Sequence, residues 1–151
     1  MVIQEALRLY PPAFGFTRFA VNEDEIDGYP VPAKSVVFLS AYCTHRHPAF
    51  WEEPEVFDPQ RFTPERSAAR PRFAYFPFGG GPRQCIGNNF AMMEAQLVLA
   101  TVAQSYTLRM IPGHPVEPKV FLTMRPRYGL PMTLHPRHPM PELPQPARTD
   151  V

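Results

Sequence analysis

The chain has 151 residues, a formal net charge of +1 and only 19% charged residues. That balance points away from nucleic acid and from an anionic membrane surface as partners. Cys43 and Cys85 are the only cysteines, too few for a disulfide scaffold, and they suit a reducing compartment.

A chain of this length makes one domain that buries roughly 70% of its unfolded surface. It has no run of ~18 apolar residues and no charged-then-apolar leader, so the expectation is a soluble, cytoplasmic chain without a membrane segment. The 21 prolines favour short elements joined by rigid turns over a helical bundle.

Residues 2–10 read as a short helix with Ile3, Ala6, Leu7 and Tyr10 on one apolar stripe; it lacks an N-cap residue, and Pro11-Pro12 stops it. From residue 14 to 41 the period falls to two, with Gly28, Pro30 and Pro32 as punctuation. Segments 16–21, 25–27, 31–33 and 36–41 are predicted as strands of one small sheet. Residues 44–61 read as a meander packed by aromatics, with one helical turn near 48–51. Residues 61–72 are charged and expected at the surface.

The segment Phe-Gly-Gly-Gly-Pro-Arg-Gln-Cys-Ile-Gly, residues 78–87, is the most specific signal in the chain. Glycines at 79, 80 and 81 take backbone angles closed to other residues and let the chain lie against a flat ligand. Pro82 stiffens the turn, and Arg83 sets a permanent cation two residues before the sulfur. Cys85 falls at the start of a helix predicted over 88–104, where free N–H groups and the helix dipole favour a thiolate. A thiolate so placed is suited to ligate haem iron.

That helix is apolar nearly all round, with Phe90, Met93, Leu97 and Ala100 on one side and Ala91, Val98, Leu99 and Val102 on the other. It is therefore expected to be buried on several sides. Residues 107–134 read as strands broken by Pro112-Gly113, Pro115 and a turn at 125–128. A proline-rich, disordered tail is expected over 136–151, leaving a domain of residues 1–135.

The spacing Phe-x-x-Gly-x-Arg-x-Cys-x-Gly, met by Phe78, Gly81, Arg83, Cys85 and Gly87, resembles the haem-thiolate signature of the cytochrome P-450 monooxygenases. The resemblance implies an α+β piece, the C-terminal part of the mainly helical cytochrome P-450 fold. It implies haem b (iron protoporphyrin IX) with Cys85 as axial thiolate, and insertion of one oxygen atom of O2 into a small organic substrate. Electrons would come from a ferredoxin or a flavin reductase. The alternative within the resemblance is a non-catalytic haem binder or inactive remnant, because the oxygen-side helix with its acid–alcohol pair is missing. Members of the family are about three times as long, so the chain reads as a fragment.

Other residues acquire expectations from the same resemblance. Phe78, Gly79, Ile86 and Gly87 join Cys85 and Arg83 as the cofactor-binding loop, and Arg18 is expected near a haem propionate. Glu5 and Arg8, three apart on one helix face, are similar to the family's Glu-x-x-Arg element, with Arg61 as its second arginine. These three are expected to form a structural network without a catalytic role. Residues 120–127 become a turn at the pocket edge. Phe73, Tyr75 and Phe76 are expected in the core.

One competing constellation remains. Cys43, His45 and His47 alternate, so an extended strand would put all three on one face as zinc ligands. The plainer reading is a surface histidine pair beside a packed cysteine, with His45 also in reach of a propionate.

Overall fold

The structure, a computed structural model, describes residues 1–138. It opens with α1 (Val2–Leu9), which starts without a side-chain cap and stops ahead of Pro11-Pro12. Strand β1 (Phe16–Phe19) pairs antiparallel with β4 (Val36–Leu39), Phe16 opposite Leu39. Nested between them, β2 (Asp24–Ile26) pairs with β3 (Tyr29–Val31). Asp27 and Gly28, at φ 51° and 80°, make the tight two-residue turn that suits the strands' twist.

These four strands are two separate two-stranded sheets, not the single sheet expected. Proline explains the break: Pro30 and Pro32 have no N–H to carry a ladder onward. Between the pairs, Lys34 turns the chain at φ 66° while its N–H donates to the Ala20 carbonyl at 2.7 Å.

The meander carries α2 (Ala41–Thr44), capped by the Ser40 hydroxyl accepting from the Cys43 N–H at 3.1 Å, and α3 (Pro64–Ala68), capped by Thr63. Both follow the rule for an N-cap hydroxyl, yet neither was expected, because four or five residues are too few for helical periodicity to show. The α3 segment is exposed, as charge predicts, but Arg61 is buried.

Helix α4 (Asn88–Ser105) leads directly into β5 (Tyr106–Met110), which pairs with β8 (Met132–Pro136). Between those partners lies the hairpin of β6 (Pro118–Val120) and β7 (Met124–Pro126), so residues 125 and 126, expected in a turn, are in a strand. The Met124 N–H donates to the Pro12 carbonyl at 2.8 Å and ties this hairpin to the end of α1. Pro136, the first residue assigned to the tail, is the last of β8; residues 139–151 lie outside the described residues.

The core gathers around α1 and the meander: Leu9, Ala41, Trp51, Phe62, Ala74 and Met124 are buried there with Glu5, Arg8, His45 and Arg61. No residue of α4 is buried, against expectation. Phe90 and Leu97 remain 64% and 62% exposed. A helix apolar all round needs neighbours on several sides. Among the described residues, α4 is covered on one side only, where Ala91, Met92 and Ala95 face Ile3 and Leu7 of α1 around a recess of about 210 Å³.

Candidate functional site: the cysteine loop and its buried anchor

The loop's shape follows from its glycines. Gly79 and Gly81 sit at φ 72° and 71°, the left-handed region where a Cβ is strained. Gly80 is extended, and a Cβ there would meet Phe73 Cε1 at 2.7 Å. A short 3-10 turn, Gly81–Arg83, then returns the chain so that the Cys85 N–H donates to the Phe78 carbonyl at 2.9 Å. That bond closes the loop across its neck.

Cys85 is exposed, two residues before the Gly87 cap of α4. A Cβ on Gly87 would come within 3.9 Å of Cys85 Sγ, so the glycine keeps the sulfur's surroundings open. The Ile86 and Gly87 N–H groups meet no acceptor among the described residues. They are donors available to an anion at the helix start. Ile86 is fully exposed, and Phe78 is half-buried beside α1 and α4.

Beside the loop, Phe16, Arg18, Leu39, Phe73, Phe76, Gly80 and Gly81 line an apolar recess of about 300 Å³. Arg18 projects here from β1, its guanidinium 4.6 Å above the Phe16 ring and 3.0 Å from the Thr17 carbonyl. Arg83 is exposed, with no hydrogen bond or ion pair to the described residues. Phe73, expected in the core, is 55% exposed because it borders this recess.

Behind the loop, Glu5, Arg8 and Arg61 meet in the interior. Arg8 Nε and Nη2 donate to the two Glu5 oxygens at 2.7 and 2.8 Å. Arg8 Nη1 donates to the His45 and Pro54 carbonyls at 2.8 and 2.7 Å, and Nη2 to Val56 at 3.1 Å. Every guanidinium N–H of a fully buried arginine is thereby used. Glu5 Oε1 also accepts the Asp58 N–H at 2.9 Å and lies 3.5 Å from Arg61 Nε. Arg61 Nη2 reaches the Glu53 carbonyl at 3.0 Å. Helix and meander are thus stitched at residues 45, 54, 56, 58 and 61.

The zinc constellation does not form. Cys43 lies within α2 and His45 at its C-cap, so the three residues rotate around a helical turn instead of alternating on a strand. Among the described residues no group of three His, Cys, Asp or Glu side chains is placed to hold a metal. His47 Nδ1 accepts the Ala49 N–H at 3.2 Å. His45 is neither a surface residue nor in reach of an exposed ligand: it is wholly buried among Trp51, Tyr75 and Phe76.

Comparison with known proteins decides the family. The chain matches the family described as Cytochrome P-450 over residues 1–132. It belongs to the cytochrome P-450 family. Cyclooctatin synthase of Streptomyces melanosporofaciens is 47% identical over 118 residues, covering 78% of this chain and 26% of that protein. Thromboxane-A synthase of Sus scrofa is 36% identical over 139 residues, covering 91% and 26%. Among solved structures, retinoic acid-bound cyanobacterial CYP120A1 superposes with a TM-score of 0.86 at 37% identity, covering 89% of this chain and 32% of that one. The chain therefore spans about a quarter of the length of the curated relatives it matches. The piece of the P-450 fold it contains is the helix–meander–loop–helix part plus small sheets.

Several residues that shape this candidate site carry little sequence signal of their place. His45 reads from sequence as a surface residue, Tyr75 shows no partner although its hydroxyl donates to the Gln4 carbonyl at 3.0 Å, and Arg70 falls in a charged, surface-like stretch. Arg70 lies 4.2 Å above Trp51 and 4.8 Å above Phe62 and donates to the Arg61 carbonyl. Burial and the neighbouring Arg66 lower its pKa. The legible signal was the density of aromatic residues between 50 and 76, which needs polar side chains to satisfy the backbone among them. No helix among the described residues is long and apolar enough to cross a membrane.

Proposed function

We propose that this chain is the haem-ligating part of a longer haem-thiolate monooxygenase, with Cys85 as the proximal ligand to the iron of haem b. The observation carrying the reading is the presentation of Cys85: an exposed sulfur on a neck-closed glycine loop, with two free amides beside it and an arginine-bearing apolar recess alongside. The residues fit the group. Gly79 and Gly81 bring backbone close without a Cβ, and their positive φ cannot be met cheaply by other residues.

Each side chain then has a task. With haem bound, the Cys85 thiolate would donate electron density to the iron, and the Ile86 and Gly87 amides would temper its charge. Arg18 and Arg83 would pair with the two propionates, whose burial without a cationic partner would be costly. Phe78, Gly79 and Ile86 would complete the surface of the loop that holds the haem. Glu5, Arg8 and Arg61 hold the meander in register and touch no reacting atom.

With haem bound, the iron supplies the oxidative chemistry: one atom of O2 enters an organic substrate and the other leaves as water, using two electrons and two protons. The electrons come from a ferredoxin or flavin-reductase partner, and the compartment is cytoplasmic. The test is turnover of the haem-loaded longer protein under 18O2 with a reductase and a panel of small hydrophobic substrates. Product carrying one labelled oxygen, with water carrying the other, is expected; unlabelled product or electron uptake without any product contradicts the proposal.

A further inference from the structure

The buried His45 belongs to neither the ion network nor the cysteine loop, yet it bonds to Arg8 of the first and to Phe76, two residues before the second. Its place is fixed locally. Ser40 caps α2, and the His45 N–H closes that helix by donating to the Ala41 carbonyl at 2.8 Å. Three rings confine the imidazole: Tyr75 at 5.1 Å with planes 30° apart, Phe76 at 5.2 Å edge-on and Trp51 at 6.5 Å edge-on. With no exposed surface, the ring is held by close packing on all sides.

Two bonds leave this residue in opposite directions. Its carbonyl accepts from Arg8 Nη1 at 2.8 Å, and its Nε2 accepts the Phe76 N–H at 2.9 Å. The Phe76 carbonyl accepts the Gly79 N–H at 3.0 Å, and the Phe78 carbonyl accepts the Cys85 N–H at 2.9 Å. A run of hydrogen bonds and short backbone segments thus leads from the Glu5 carboxylate to the cysteine. Because a backbone N–H can only donate, Nε2 carries no proton and the neutral ring holds its proton on Nδ1. That Nδ1–H is buried and no acceptor lies within hydrogen-bond distance of it among the described residues. An unsatisfied donor is costly, and the bond accepted at Nε2 is the one hydrogen bond the ring makes among the described residues.

We propose that His45 is a positioning residue for the cysteine loop: as the Nδ1–H tautomer it anchors the Phe76 amide through Nε2, and so fastens the Cys85 segment to the Glu5–Arg8–Arg61 network. The importance of that geometry rests on Cys85 being the iron ligand, whereas the anchoring itself does not. A glutamine amide oxygen reaches as far and can accept the same N–H. Phenylalanine and leucine fill the space and accept nothing.

The experiment compares His45→Gln, His45→Phe and His45→Leu in the haem-loaded longer protein. Two readouts are followed: the rate at which the reduced, carbon monoxide-bound species loses its thiolate-type Soret band, and hydrogen exchange of peptides spanning residues 76–87. An orphaned Phe76 N–H should speed both by about tenfold in the Phe and Leu variants. The Gln variant should stay within about threefold of the parent, and the β5–β8 pair should be unmoved in all of them. Equal loss in Gln and Phe, unchanged exchange over 76–87, or loosening of β5–β8 to the same degree overturns the proposal.

Imidazole 15N shifts of the unsubstituted protein test it without any variant. Protonated Nδ1 with bare Nε2 is expected, and the opposite tautomer or an imidazolium at neutral pH contradicts it. A parent protein lacking the thiolate-type band would sink the ligand assignment while leaving the exchange and 15N results to judge the anchor.

Discussion

Arg8 shows why a single guanidinium can hold three stretches of chain. Its five N–H groups end on Glu5, His45, Pro54 and Val56, and the planar fork matches the carboxylate with two parallel bonds. A lysine carries the same charge but three donors on a flexible stem, so it cannot meet both carboxylate oxygens and three carbonyls. Arg8→Lys is expected to lower unfolding free energy on the order of 3 kcal/mol, the usual cost of breaking a buried charge pair. Chemical denaturation of parent and variant measures it; a loss below about 0.5 kcal/mol would show that the network is dispensable. The Glu5–Arg8 pairing was legible from the i, i+3 spacing and the helical stripe. The three carbonyl partners were not, because they come from a meander whose path has no periodicity to read.

His45 gives a pH dependence at the same scale. Burial lowers its pKa from 6.5 to about 4, helped by the cations of Arg8 and Arg46 and offset in part by backbone groups of Arg8 and Leu7. The Tyr75 phenol packs against the ring, and burial raises its pKa. The unfolded chain takes up the His45 proton below about pH 6.5, and the folded protein does not until about pH 4. Stability from this group is therefore complete above 6.5 and lost as the pH falls toward 4, by about 3 kcal/mol in all. Unfolding curves at pH 7 and pH 4.5 should show a smaller acid loss in His45→Gln than in the parent. Identical acid losses would contradict the buried neutral assignment.

Among the elements, the glycine loop is where sequence and structure agree most closely, because glycine is the one residue whose backbone preference is written in its name. Gly79→Ala and Gly81→Ala each force a Cβ into left-handed backbone and are expected to cost about 1–2 kcal/mol. Gly80→Ala meets only the half-exposed Phe73 ring, which can swing aside, and should cost less than either. Calorimetry ranks the three, and a Gly80→Ala penalty larger than the other two would refute this account of the loop. The strands were found within a few residues, but their assembly was not: the proline breaks at 30 and 32 were visible, whereas the ladder they interrupt depends on tertiary pairing. The short α2 and α3 were hidden for a related reason, since one turn of helix is defined by its cap and carries no repeat.

Across the whole chain, α4 is the main departure from expectation, and the reason is physical. Its composition asks for neighbours on several sides, and the described residues offer α1 on one. Exposed Ile86, Phe90, Met93, Leu97 and Leu99 form an apolar surface that an isolated chain would present to water. The 151-residue chain on its own is expected to bind a hydrophobic dye and to self-associate, and Phe90→Ser with Leu97→Ser to reduce both. Light scattering and dye fluorescence check this; a monomeric chain with no dye binding would mean that α4 is covered by some other arrangement.

The most direct test of the central claim is the spectrum of the reduced, carbon monoxide-bound haem protein, recorded for the parent and for Cys85→Ala. The parent should show the strongly red-shifted Soret band of thiolate coordination, and the variant should lose it while residual haem shows only a band without that shift. A red-shifted band that persists in Cys85→Ala, or a parent that binds haem without ever showing one, would contradict ligation by Cys85.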